Sequence, residues 1–263
     1  MTQLPIEDRA WLVSGLTLRV LTAKDIAERL GCSLRLVRAI RAEPITHVFT
    51  SAGDPALFTA RLHDAGMKVV HVIGSLKAAH KAADAGVDAL VVEGVEGGGF
   101  KSALGASTMV LLPLVAERVN LPIIAAGGMC DARSAAAALV LGAEGVQMGT
   151  RMLASLESAV HVGFKEAIVA ADDAGTVLLD VPGNPTMRVL RTGLAARVSA
   201  ADPDARLLGQ VTELYFGGDM EASVANTGQV SSRILDLLPV EQIVRETWAG
   251  IESHLDVARA RLG

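Results

Sequence analysis

Short apolar runs alternate with alanine-rich or amphipathic stretches from residue 45 to about residue 170. The runs predict strands over 45–51, 68–74, 88–94, 122–126 and 145–148. They are almost continuous Val, Ile, Leu and Ala, the pattern of strands covered on both faces in a parallel sheet. The stretches between them predict helices over 54–65, 75–85, 107–119 and 131–141. Three helix-to-strand joins resemble one another: Ala65-Gly66-Met67-Lys68-Val69, Ala85-Gly86-Val87-Asp88-Ala89 and Gly142-Ala143-Glu144-Gly145-Val146. In each, a glycine stops a helix and the chain enters a strand at once. The pattern gives five βα units and an α/β fold.

The two ends depart from that rhythm. Within residues 21–43, Ile26, Ala27 and Leu30 share one face of a short helix, and Gly31 permits a turn. Leu34, Val37 and Ile40 then form the inner face of a second helix, which Ser33 can cap. The spacing fits a helix-turn-helix unit, with Arg35, Arg38 and Arg41 turned outward toward DNA. It also fits a plain amphipathic hairpin with a solvated arginine face. Pro44 ends the pair, because the residue before a proline avoids helical angles. The boundary is therefore set between a helical segment over 1–45 and a sheet-bearing domain over 46–263. Beyond residue 172 the repeats stop. Residues 181–193 are extended and punctuated by Pro and Gly, and helical patterns return at 207–215, 228–238 and from 240 onward. These make a C-terminal extension expected to fold over the sheet.

Composition narrows the function classes. Half of the 263 residues are apolar (51%) and only 3% are aromatic, which suits close helix-on-sheet packing. The net charge of -5 argues against a general nucleic-acid binder. Residues 1–45 are the exception, with seven Lys/Arg against five Asp/Glu, whereas the remainder has 17 against 24. The start, MTQLPIEDRA, is acidic and lacks the apolar core of a signal peptide. No apolar run is long enough to span a bilayer. Cys32 and Cys130 lie far apart, so reduced thiols and a cytoplasmic location are expected. The six His residues are scattered, so no metal site is expected.

The candidate chemistry lies in LPIIAAGGMCDARSAAAALVLGAEGVQMGTR, residues 121–151. Two neighbouring parallel strands end there in Gly127-Gly128 and Gly149-Thr150. In α/β barrels such turns gather backbone N–H groups around a phosphate. Three further stretches are TSAGDP (50–55), VVEGVEGGGF (91–100) and GDMEASVANTGQV (218–230). With residues 122–158 they resemble the nitronate monooxygenase family of FMN-dependent enzymes, close relatives of the flavin-dependent enoyl-ACP reductases. The resemblance runs from about residue 47 to the C-terminus. It implies a TIM barrel with FMN across the strand ends and its phosphate on Gly127, Gly128, Gly149 and Thr150. It places Gln147 and Met148 below the flavin, Glu93 and Gly94 on the substrate side, and Gly228 and Gln229 near the cofactor. The implied activity is oxidation of an alkyl nitronate, or a related small anion, by O2.

Two departures from the family pattern matter. The family has a His after its Gly-Gly, the base that takes a proton from a neutral nitroalkane. This chain reads Gly98-Gly99-Phe100. A nitronate is already ionised and needs no such base. Lys101, beside the gap, could hold an anionic group or be a solvated surface lysine. His71, in the VVHVI strand, is a second replacement, and the alternation of strand faces leaves its direction open. The second departure is the start: the family's first strands are missing, and the helix-turn-helix-like segment stands in their place. The expected sheet is thus a partial, TIM-barrel-derived one of about five βα units. At ~25 cal/mol per Å2, even a few hundred Å2 of uncovered strand face costs several kcal/mol. The N-terminal helices, the C-terminal extension or a second copy of the chain must cover it. Two other functions stay open: an NAD(P)H-dependent flavin reductase of the enoyl-ACP reductase type, and a non-catalytic DNA-binding or scaffold fusion.

Overall fold

A computed structural model describes residues 46–262. The helix-turn-helix reading of 21–43, with Arg35, Arg38, Arg41 and Cys32, lies outside the described residues. In chain order the elements begin with β1 (His47–Ser51), α1 (Thr59–Asp64), β2 (Lys68–Ile73), α2 (Leu76–Asp84), β3 (Ala89–Glu93) and a two-residue β4 (Gly99–Phe100). Then come α3 (Thr108–Ala116), β5 (Ile123–Ala126), α4 (Ala132–Val140), β6 (Gly145–Gln147), the single turn α5 (Thr150–Leu153) and α6 (Val162–Val169). Finally β7 (Thr176–Leu179), β8 (Met187–Leu190), α7 (Gly193–Ser199) and the long α8 (Val240–Ala260) follow. No described helix is long and apolar enough to cross a membrane.

The five expected strands form one parallel sheet in the order β1-β2-β3-β5-β6. Each strand lies beside its predecessor, as along the arc of a barrel. The glycine stops behave as read: Gly66, Gly86 and Gly142 all adopt positive φ, at 77°, 78° and 101°. Starts are set by side chains. Ser75 accepts the Ala78 N–H ahead of α2, and Asp131 and Ser134 cap α4 reciprocally. Strand alternation divides the sheet into two faces. Val69, Ile73, Leu90, Val92, Ile123 and Ala125 face the helices and share a core with Leu111, Leu112 and Val115. Each fully buried Leu or Val there contributes roughly 1.5–3 kcal/mol. The opposite, inner face carries Val70, Val91 and Ala126.

The C-terminal part differs from the expectation of a helical cover. A second, antiparallel sheet forms in the order β4-β8-β7, with Gly99 opposite Arg188 and Thr176 opposite Leu190. Its core joins Leu179, Met187 and Val189 to Leu194 and Val198 of α7. The helical pattern read at 207–215 is realised only as a wide turn at Glu213–Gly217, and that at 228–238 as a 3-10 turn at Gln229–Arg233. The long helix α8 packs on α4 rather than over the sheet. Gly250 permits the approach: a side-chain carbon there would lie 2.6 Å from Cβ of Ala132.

Candidate functional site

The loops at the C-terminal ends of β3, β5 and β6 meet the Thr227–Gly228 segment. After β3, the Gly94 N–H donates to the Ala126 carbonyl at 3.1 Å. Gly94 admits no side chain, because a Cβ would come within 2.2 Å of the Thr108 backbone nitrogen and hydroxyl. The Glu96 carboxylate, two residues on, accepts the Thr108 N–H at 2.9 Å and so caps α3. The Thr108 hydroxyl sits 3.0 Å from Glu96 Oε2 and 2.9 Å from the Gly127 carbonyl. It has one proton and donates to one of them at a time.

Gly127 and Gly128 both take φ of 83°, a left-handed pair that L side chains rarely adopt. They differ in what they meet. Gly127 is pressed against the loop, with Gly94 O and Gly97 N at 3.0 and 3.1 Å from where its Cβ would be. Gly128 meets only the Glu96 Cβ at 3.8 Å, and Gly149 meets nothing within 4 Å. Gly127 therefore serves assembly, whereas Gly128 and Gly149 border open space. Thr150 is buried, and its Oγ1 accepts the Gly228 N–H at 2.8 Å. Gly228 is itself tight, 3.0 Å from both Glu96 O and Thr150 Oγ1 at the Cβ position. The Gln229 N–H closes the ring by donating to Glu96 O at 2.8 Å.

The remaining sequence candidates divide between the faces. Gln147 stands in register with Ala126, and Ala126 with Glu93, so both polar residues belong to the inner face. Met148 instead packs against the helix-side core, which corrects its placement below a flavin. The Gln229 side chain is exposed; its backbone makes the contact. His71 also faces the helices. It shares that side with Val69 and Ile73, and its Nδ1 is 2.7 Å from Thr50 Oγ1. Burial lowers its proton affinity, with Asp54 opposing and Lys81 assisting. It is a structural histidine turned away from the inner face, not a replacement base.

Phe100 is half-buried and packs against the core of the small sheet. Lys101 is not the solvated lysine that its sequence allowed. Its side chain is 2% exposed, and its Nζ lies 2.7 Å from Glu93 Oε1. The approach departs from hydrogen-bond geometry, so the attraction is chiefly Coulombic. Burial lowers the lysine's pKa, and Glu93 offsets that only in part.

Sequence reasoning missed Glu96, Thr108 and Arg188. Buried Arg188 donates from Nε to Val95 O at 2.8 Å and from Nη1 to Thr176 at 3.2 Å. Burial lowers its pKa and Glu96 pulls the other way; a guanidinium so placed stays charged. A four-residue spacing test could not have joined these groups, which come from three separate segments. Among the described residues no cluster of His, Cys, Asp or Glu is suited to a metal. The donor set at the strand ends, Gly128, Gly149 and the Thr150 hydroxyl, is instead suited to an oxyanion. That hydroxyl oxygen accepts from Gly228, leaving its proton free to donate.

Comparison with known proteins bears on the family and the fold. A profile of the family described as nitronate monooxygenase matches residues 20–250. The chain is 38% identical over 194 residues to the (3aS,4S,5R,7aS)-5-hydroxy-7a-methyl-1-oxo-octahydro-1H-indene-4-carboxyl-CoA dehydrogenase of Rhodococcus jostii, covering 73% of this chain and 52% of that one. It is 36% identical over 200 residues to a probable nitronate monooxygenase of Staphylococcus aureus, covering 70% and 56%. The chain thus spans about half the length of these curated relatives. Among solved structures, FabK from Thermotoga maritima superposes with a TM-score of 0.81 at 32% identity, covering 94% of this chain and 86% of that one.

Proposed function

The chain belongs to the nitronate monooxygenase family, and on that premise we propose that it is an FMN-dependent oxidoreductase that oxidises alkyl nitronates with O2. The observation that supports the cofactor reading is the room left at the two turns: a Cβ on Gly128 would meet only Glu96 Cβ at 3.8 Å, and one on Gly149, next to the Thr150 hydroxyl, would meet nothing within 4 Å. There the N–H groups of Gly128 and Gly149 and the Thr150 hydroxyl would hold the FMN phosphate. Glu93, Gly94, Gly127, Gln147 and Gln229 would form or support the remaining wall. FMN, when bound, supplies the electron acceptor for the oxidation.

The chain's own residues bear on the substrate. Phe100 has no group that can take a proton, and His71 points to the helix layer. Lys101 is committed to Glu93. A substrate that arrives already ionised needs none of them as a base, which favours a nitronate over a neutral nitroalkane. The test is direct: load the purified protein with FMN and compare O2 uptake on an alkyl nitronate and on its parent nitroalkane. The proposal expects turnover of the nitronate and little of the nitroalkane; equal rates would sink it.

The 38% identity to the Rhodococcus enzyme favours a second reading, dehydrogenation of a carboxyl-CoA thioester. Anaerobic bleaching of the flavin by such a thioester, with no response to nitronate, would select it. Rapid bleaching by NAD(P)H would instead select a flavin reductase.

A further inference from the structure

We propose that Glu93 and Lys101 form a buried electrostatic latch, with Lys101 the positioning residue that seats the Gly94–Gly98 loop as the inner wall of the flavin site. The inference rests on the flavin reading for its affinity arm, and on geometry alone for the rest. Glu93 ends β3 on the inner face of the parallel sheet. Lys101 follows β4, and its backbone N–H donates to Thr186 O beside the small sheet at 2.8 Å. Their ion pair thus ties one sheet to the other. The loop between them lies directly on the pair. A Cβ on Gly97 would come within 2.6 Å of Glu93 Oε1 and 2.8 Å of Lys101 Nζ. On its other sides the same loop touches the glycine turn after β5 and the Thr227–Gly228 segment. Gly98 abuts Thr227 and the Gly228 nitrogen, and Gly97 N abuts Gly127. The Glu96 carbonyl receives the Gln229 N–H.

A partly exposed carboxylate could hold itself with water. Glu93 is 26% exposed, yet it is met by a cation whose side chain is 2% exposed. Burying an ammonium is costly unless it is paired, so this lysine is fixed by its partner and fixes it in turn. The loop's other ties are backbone hydrogen bonds, the Glu96 carboxylate on Thr108 and the Arg188 guanidinium on Val95 O, and none of them holds Gly97 and Gly98 against the inner face of β3. Loss of the Glu93 charge leaves the ammonium buried and uncompensated beneath Gly97, and loss of the lysine turns Glu93 toward water; in both cases the loop loses the pair that seats it. The charged groups facing Lys101 are Glu93 from β3, Glu96 from the loop and Arg188 from β8. Glu93 and Glu96 favour its charge and Arg188 opposes it. Burial outweighs the carboxylates, so the ammonium discharges at a lower pH than a solvated lysine. Flavin affinity is therefore expected to fall in the alkaline range below 10.5, the ordinary lysine value.

The test measures FMN affinity from pH 7 to about pH 10 for the full chain and for Lys101→Met, Glu93→Gln and Lys101→Arg. It adds amide exchange of residues 94–98 in the flavin-free protein, corrected for intrinsic rates. Lys101→Met and Glu93→Gln are expected to weaken FMN by about tenfold or more, to flatten the alkaline loss and to speed loop exchange. Lys101→Arg, which stays charged throughout, should bind near the wild-type level and also lack the alkaline loss. The latch is overturned if Lys101→Met binds FMN and exchanges like wild type. It is equally overturned if the alkaline loss persists unchanged in Lys101→Arg, as a purely structural role requires. A wild-type chain that takes up no FMN would refute the cofactor reading, and loop exchange alone would then decide the latch.

Discussion

Replacing Thr150 by valine separates the roles of its hydroxyl from those of its shape. Thr150 is buried, and its oxygen accepts the Gly228 N–H at 2.8 Å. Valine keeps the branch at Cβ but offers no acceptor. The Gly228 amide is also buried, so it is left without a partner, at a cost of about 1–3 kcal/mol. In a chain of this size each kcal/mol moves the melting temperature by roughly 2–4 °C, so a fall of roughly 2–12 °C is expected. A second loss concerns the ligand. The hydroxyl proton is not consumed by Gly228 and can donate to a phosphate oxygen. A hydrogen bond to a charged group contributes about 1.5–3 kcal/mol, so FMN affinity should fall roughly 10- to 150-fold. Thermal unfolding of the flavin-free protein measures the first effect, and fluorescence titration with FMN the second. Thr150→Ser keeps the oxygen and should retain most of both. The reasoning fails if Thr150→Val melts and binds as wild type does, or if serine and valine are equally impaired.

Other substitutions test the loop and the helix layer. Gly94→Ala forces a carbon within 2.2 Å of the Thr108 nitrogen, so the Glu96 cap of α3 must break; urea unfolding should show a loss of about 2–5 kcal/mol from overpacking and the lost cap. Asp131→Ala removes the reciprocal cap of α4 and should cost about 0.5–2 kcal/mol in the same assay. His71 is buried with a lowered pKa, so the unfolded chain takes up a proton there more readily than the folded one. Wild-type stability should therefore decline as pH falls below 6.5, by at most about 1.4 kcal/mol per pH unit from this group. His71→Gln should flatten that decline without removing FMN binding, because the ring faces the helices; loss of binding in a folded variant would contradict its placement.

The parallel sheet was legible because its central strands β2, β3 and β5 are largely buried on both faces and three of the helices between its strands are stopped by a glycine in the left-handed region. Those are local signals, and Gly66, Gly86 and Gly142 carry them. The small antiparallel sheet was not. Its strand β4 is two residues long, and β7, TVLL, lacks alternation because the sheet is assembled by tertiary pairing with β8. Within the site, the two glycine turns could be read because each follows an apolar run. The Glu96 cap could not. Its partner Thr108 lies 12 residues away, while Ser107, the residue at the cap position, makes no side-chain cap bond. Lys101 misled for a different reason: lysines are almost never fully buried unless paired, and its partner Glu93 comes from another strand. His71 could not be assigned a face until its neighbours Val69 and Ile73 were seen to meet the helices.

The most direct measurement is a parallel titration of the flavin-free protein with FMN and with riboflavin, the same ring system without the phosphate. If Gly128, Gly149 and Thr150 hold the phosphate, FMN binds in a discrete stoichiometric complex at least about 100-fold more tightly than riboflavin. Equal affinity for the two, or uptake of neither, would contradict a phosphate cradle at the strand ends.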